Sequence, residues 1–252
     1  MKRIDIVVVH PELMGTYGDG GNAEVLAHRA RLAGVEAVVH PVAHTADLPD
    51  DADLYCIGGG EDVAQIACVG ALRGQGAAAL AAAMGRGAQV LAICAGLQIL
   101  GDVFPGSNGE AVAGLSLLPL TTRRGERRLI GEIAMTSALI GTTLTGFENH
   151  RGVTELREGA SALGVVTLGN GNGIGGVDGV VTDNVIGTYM HGPALARNPE
   201  LADFILRRLG VDASEVRDPI ALAFAAERRA AAVALTARLR RRRLLGRDNR
   251  QW

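Results

Sequence analysis

Aromatic residues are scarce in this chain: one Trp, three Tyr and four Phe among 252 residues, although 48% of the sequence is apolar. An interior without aromatic bulk is filled by Ala, Val, Leu and Ile, which suits a parallel sheet covered by helices. Cysteine is sparse too. Cys56, Cys68 and Cys94 have no metal-ligand spacing and are too few for a disulfide framework, so a reducing cytoplasm is expected. No run of about 18 apolar residues is present to span a bilayer. The opening MKRIDIVVVHPE has only a short apolar part and no small-residue cleavage site, which predicts a soluble protein without a secretory signal or stable membrane insertion. A formal net charge of −2 excludes a chain built to coat nucleic acid or an anionic membrane. No GxxxxGK[ST] stretch occurs, so the chain has no ATP site of that kind.

What is present begins with alternation. Ile4–Val9, Ala37–His40, Leu54–Ile57 and Val90–Ile93 are β-branched or apolar runs that read as buried strands. Helical patterns lie between them, over Ala23–Leu32 before Gly34 and over the Ala-rich Gln75–Met84 before Gly85 and Gly87. Such alternation predicts an α/β fold with crossover helices. From Leu115 to Val185 the runs are short and glycine-punctuated, and antiparallel strands added to the main sheet are expected there. Ile186–Met190 returns the chain to the parallel edge, followed by helices at Pro199–Leu209 and Pro219–Arg243. A main domain over residues 1–210 and a carboxy-terminal helix with an Arg-rich tail over 211–252 follow from this reading. The arginines of that tail, Arg228 to Arg243, suit an acidic partner surface, an anionic lipid or a polyphosphate or, more simply, a solvated helix end where Arg meets the helix dipole favourably.

Two strand ends carry chemistry. VLAICAGLQ delivers Cys94 from a strand into a turn of small residues, Ala95 and Gly96, at a helix start. That is how an α/β enzyme presents a thiolate, because free N–H groups in the turn favour the charged sulfur. About a hundred residues on, VIGTYMHGP ends in His191, the natural base for the thiol. His150, in GFENHRG, is its rival. Gln98 lies one helical turn past the cysteine, where its amide faces the same pocket. Gly58-Gly59-Gly60 ends a neighbouring strand, and its backbone N–H groups, with that of Ala95, suit a developing oxyanion. Cys56 and Cys68 lack such a setting and read as packing residues. Gly171, Gly173 and Gly176 formally match the dinucleotide fingerprint, but a strand pattern follows them where a helix is required.

Together these segments resemble the class I (triad-type) glutamine amidotransferases. ICAGLQ matches that family's Cys-x-Gly-x-Gln elbow, and GFENH, the glycine-rich loop and GTYMHGP follow in the order of the cobyric-acid-synthase-like branch. Within it, TYGDGGN and GGGEDVAQ are similar to the GatD-type glutaminase subunits of lipid II isoglutaminyl synthase. The resemblance implies a flavodoxin-like three-layer sandwich and a Cys94 thioester with glutamine, with His191 as acid and base. It implies oxyanion contacts at Gly60 and Ala95, glutamine binding by Gln98, and an arginine for the α-carboxylate. Arg128 is the candidate, with Arg127 and Arg124 as competitors. It further implies a heterodimer with a MurT-like Mur-ligase subunit, which would carry ATP and magnesium, leaving this chain without a cofactor. Corrinoid amidation and a catalytically silent binding module are the alternatives. One departure stands out: Pro193 occupies the place of the family's glutamate two residues after the histidine. The group that orients His191 is left open among Asp19, Glu61, Asp62, Glu148, a partner's carboxylate, or none at all.

Overall fold

The computed structural model describes residues 2–213 and 215–244, with side chains to residue 242. The chain runs β1 (Arg3–Val9), α1 (Gly21–Leu32), β2 (Glu36–Val42), β3 (Leu54–Ile57), α2 (Asp62–Leu72), α3 (Gln75–Gly85), β4 (Gln89–Ile93) and α4 (Ala95–Leu100). There follow β5 (Val103–Pro105), β6 (Ala111–Ala113), β7 (Leu120–Ser137), β8 (Thr142–Leu156), β9 (Gly164–Leu168), β10 (Val177–Asp178), β11 (Val180–Val181) and β12 (Val185–Thr188). Helices α5 (Ala194–Arg197), α6 (Pro199–Arg208) and α7 (Pro219–Leu244) complete it.

The first sheet has the order β11-β12-β4-β3-β1-β2. All its pairs are parallel except β11 with β12. Strands β3, β4 and β12 are buried along their whole length, as expected of strands covered on both faces. The crossover from β1 moves one way along the sheet and that from β3 moves the other. Right-handed connections therefore put α1 on one face and α2–α3 on the opposite face. Aliphatic side chains fill the interior: Ile4, Ile6, Leu26, Leu54, Ile57, Leu72, Leu80 and Leu91 are fully buried. Only Tyr55, Tyr189 and Phe104 supply aromatic bulk among the largest fully buried residues.

The glycine-punctuated middle is antiparallel as expected, but most of it forms a second sheet, in the order β10-β9-β7-β5-β6 with β8 paired to β7. Only β11 extends the first sheet. The long β7–β8 hairpin explains the separation: its 18 and 15 residues pair with each other and leave the first sheet's edge to β11. Helix α7 crosses this second sheet, where Ala232, Leu235 and Leu239 pack on Ala134 and Leu168. Its first turns carry Arg229, bonded to Thr143 O and Glu200. The other arginines of the expected tail, Arg228 and Arg238 to Arg243, also lie on this helix, and residues 245–252 lie outside the described residues.

In open parallel sheets, ligands gather beyond the carboxyl ends of the strands. Four such ends converge here. Cys94 follows β4; His191 follows β12, its neighbour on one side; Gly58–Gly60 follow β3, its neighbour on the other; Asp19 lies in the loop after β1.

Candidate active site

Cys94 is held in a sharp elbow. Its N–H extends the parallel ladder by bonding Thr188 O at 2.9 Å, and its backbone then turns to φ 50°, ψ −104° as the N-cap of α4. A non-glycine residue in that region is strained by about 1–3 kcal/mol and persists only where its surroundings over-determine it. Gly96 makes the elbow possible. A Cβ there would run into Ile57 O and lie 2.8 Å from Gly58 O, and Gly96 N donates to Gly58 O at 3.1 Å. The elbow thereby locks onto the end of β3. The first-turn N–H groups of α4 have no intrahelical acceptor, which leaves the Ala95 N–H beside the sulfur.

His191 is 1% exposed. Its main chain exchanges hydrogen bonds with Phe147 on β8, and its Nδ1 lies 2.9 Å from Asp19 Oδ2. That same carboxylate oxygen accepts the Gly59 N–H at 2.9 Å. Asp19 therefore orients the ring, and Glu61, Asp62 and Glu148 do not. Pro193, at the position of the family's glutamate, instead packs on the start of α1, where a Cβ on Gly21 would meet its Cγ at 2.5 Å. The carboxylate arrives from the opposite direction, two residues before α1.

Gly59 shows how tight the arrangement is: a Cβ there would lie 2.6 Å from His191 Cε1 and 3.0 Å from Asp19 Oδ2. Burial alone would pull the imidazole pKa down. The Asp19 bond and charge, together with the Cys94 sulfur, outweigh it and push His191 up to about 10. His191 Nε2 is buried without an aligned hydrogen bond although Cys94 acts on the ring; such catalytic contacts tighten when substrate binds. The arrangement favours a charged imidazolium beside the Cys94 sulfur. By contrast, burial pushes the thiols of Cys56 and Cys68 up to about 12, as packing residues require.

A cavity of about 160 Å³ opens beside Cys94, lined by Gly60, Ala95, Gln98, Arg128, His150 and Gly152, among others. It is smaller than the roughly 300–1,000 Å³ typical of pockets for drug-sized ligands. A separate apolar groove of about 690 Å³ between α1 and the start of α7 holds none of these groups.

Of the three candidate arginines, Arg128 and Arg124 line the cavity and Arg127 does not; it reaches Asn170 Oδ1 instead. The reason is an irregularity in the β7–β8 ladder. Between the pairs Arg124↔Gly152 and Leu129↔His150, residues 125–128 of β7 face only residue 151 of β8. This bulge re-aims the strand. Arg151 pins it by donating to Gly125 O and Glu126 O. Arg128 Nε donates to Asn149 Oδ1 at 2.6 Å.

Gln98 lines the cavity, but its amide is already engaged: Oε1 accepts from Gln65 Nε2 at 2.9 Å and Nε2 donates to Tyr189 Oη at 3.0 Å. Tyr189 Oη also meets Thr154 Oγ1. Gln98 is thus braced as a wall of the pocket. His150, the rival base, stacks on Tyr189 at 3.8 Å, and its Nδ1 bonds Gly152 O. Glu148 caps the glycine-rich loop, accepting from Asn170 N, Asn170 Nδ2 and Gly171 N. That loop, with Gly169, Gly171, Gly173, Gly175 and Gly176 at positive φ, leads into β10 rather than a helix, against the dinucleotide fingerprint. Gln65, Tyr189 and Asn149 fall inside the segments GGGEDVAQ, GTYMHGP and GFENH, but the contacts they make are seen only in the fold.

The geometry agrees with comparisons to known proteins. The GatD subunit of lipid II isoglutaminyl synthase (glutamine-hydrolyzing) from Streptococcus pneumoniae is 35% identical over 203 residues, 79% of this chain and 78% of that protein. The corresponding GatD from Staphylococcus aureus is 33% identical, covering 82% of this chain and 85% of that protein. The structure of PurLQS from Thermotoga maritima shares the fold, with a TM-score of 0.51 at 18% identity, covering 83% of this chain and 98% of that one. Residues 5–199 match the CobB/CobQ-like glutamine amidotransferase domain, and the chain belongs to that family.

Proposed function

We propose that this chain is a glutaminase subunit that passes ammonia to a MurT-like, ATP-dependent synthase, which amidates D-glutamate in the lipid II stem peptide to D-isoglutamine. The observation that carries the catalytic part is the Asp19–His191 pair beside a strained, elbow-mounted Cys94. The synthase part rests on the GatD relatives, which the chain matches over most of their length. ATP and magnesium belong to the partner in this reading, and the pair works as a cytoplasmic heterodimer. Among the described residues no single helix is long and apolar enough to cross a membrane.

In the mechanism this supports, the glutamine α-carboxylate is recognised by Arg128, and its side-chain amide lies against Cys94. The thiolate attacks the amide carbon, forming the C–S bond. The developing oxyanion is stabilised by the N–H groups of Gly60 and Ala95. The His191 imidazolium gives its Nε2 proton to the amide nitrogen, the C–N bond breaks, and ammonia leaves. The neutral imidazole then takes a proton from water, which attacks the thioester. Glutamate departs and the thiolate–imidazolium pair is restored. Asp19 holds the ring and its charge throughout.

Glutamine labelled at the side-chain nitrogen tests both parts. Incubated with the chain, its Mur-ligase-like partner, ATP and lipid II, it is expected to yield labelled isoglutaminyl product. Release of labelled ammonia with no product would overturn the synthase reading, and label in neither free ammonia nor product would overturn the glutaminase reading.

A further inference from the structure

Tyr17 has no role in the mechanism above, yet its placement is unusual. It lies in the glycine-laden loop between β1 and α1, two residues before Asp19, at φ 66° and followed by Gly18 at φ 75°. Non-glycine residues rarely occupy that region unless their surroundings fix them. Two contacts do so. The ring stands 4.7 Å from the His191 ring, tilted by 56°. Its Oη accepts a hydrogen bond from Asn149 Nδ2 at 2.5 Å. Asn149 uses its other end for Arg128, accepting from Nε at 2.6 Å. A continuous path therefore runs from Arg128 through Asn149 and Tyr17 to the face of His191. The loop is tied to the same strand end as the catalytic groups, because Thr16 N donates to Gly59 O and Gly59 N donates to Asp19.

Tyr17 is not among the residues lining the cavity beside Cys94, and it remains 40% exposed. Its ring stands against that of His191, while its hydroxyl fixes the Asn149 amide. With Nε committed to Asn149, Arg128 offers its two Nη groups to a ligand carboxylate in a set orientation, and bidentate recognition depends on that orientation.

We propose that Tyr17 is a positioning residue. Through Asn149 it sets Arg128 for the glutamine α-carboxylate, and its ring holds the catalytic histidine under cover, so substrate recognition and the proton-transfer group share one brace. This rests on the glutaminase reading above.

Tyr17→Phe removes only the hydroxyl and keeps the ring over His191. The expected result is a KM for glutamine raised about fivefold, the scale of one lost hydrogen bond, with kcat within about twofold of the parent. Asn149→Ala should raise KM similarly, and the double variant should be no worse than the more affected single variant, since both cut the same path. Calorimetric binding of glutamine to the Cys94→Ala protein, with and without Tyr17→Phe, reads the same effect without turnover and should show the same loss. Thermal melts check that the variants fold. An unchanged KM and affinity in Tyr17→Phe would overturn the proposal, as would a fall in kcat alone or fully multiplicative effects in the double variant. If the parent neither binds glutamine nor releases ammonia, the glutaminase reading has failed first; if it does both and Tyr17→Phe matches it, only this inference fails.

Discussion

Replacing Asp19 with Asn tests the electrostatic core of the site. The substitution keeps size but removes the charge 2.9 Å from His191 Nδ1. It also offers an amide in place of an acceptor-only carboxylate. If the amide N–H turns to the ring, Nδ1 becomes the acceptor and Nε2 keeps the proton, the wrong tautomer for a base facing the thiol. An opposite charge at this range typically shifts a pKa by about 1–3 units, or about 1.4–4 kcal/mol. His191 stands at about 10 against an ordinary 6.5, held up by Asp19 and Cys94 against burial. In Asp19→Asn the alkaline limb of kcat/KM should therefore move down by at least about one unit, and kcat/KM at neutral pH should fall about a hundredfold.

Stability follows the same linkage with a defined sign. A histidine whose folded pKa is raised contributes stability that is full below its unfolded pKa near 6.5 and lost as pH rises through about 10. The stability deficit of Asp19→Asn should thus be largest in mildly acidic to neutral buffer and vanish in strong alkali, where the parent holds an uncompensated buried carboxylate. Ammonia release across a pH series, paired with denaturant melts at the two extremes, reads both effects. A variant with kcat/KM within about threefold of the parent and an unmoved alkaline limb would refute the assignment of Asp19, because loss of that charge shifts the limb by at least a unit.

Gly59→Ala puts a Cβ within 2.6 Å of His191 Cε1, so turnover should fall at least about tenfold for a displaced reacting group while far-ultraviolet circular dichroism stays unchanged. Arg128→Gln should raise the KM for glutamine about ten- to a hundredfold, as loss of a charged hydrogen bond would, with a smaller effect on kcat; steady-state kinetics separates the two. Cys56→Ala and Cys68→Ala should keep full ammonia release, and mass spectrometry after brief iodoacetamide treatment of the native protein should find label on Cys94 alone, because burial keeps the other two thiols protonated up to about pH 12.

The strands that build the site are legible from sequence because each is a short β-branched run with a glycine or a reactive residue at its carboxyl end, as at Ile93–Cys94 and Ile57–Gly58. Their ends meet because parallel pairing places β3, β4 and β12 side by side. Asp19 could be named only among several acids. Its pairing with His191 spans 172 residues and depends on how a flexible-looking glycine loop folds back over β3, which no local periodicity encodes. Arg128 was expected from its position and reaches the cavity through a bulge, a feature that composition does not reveal. Gln98 lines the pocket as its spacing from Cys94 predicts, but Gln65 and Tyr189 occupy its amide; both lie in sequence motifs, yet those pairings span 33 and 91 residues and no local pattern encodes them. The second sheet escaped the sequence reading for a related reason: alternating runs specify a hairpin but not which sheet receives it.

Trapping the acyl-enzyme reaches the central claim most directly. The protein, with its partner, is acid-quenched during turnover of glutamine, digested, and examined by mass spectrometry. The account predicts a γ-glutamyl thioester on the peptide carrying Cys94, no such adduct on those carrying Cys56 or Cys68, and neither adduct nor ammonia release in Cys94→Ala. Ammonia release that persists in Cys94→Ala, or turnover with the adduct on another residue, would contradict it.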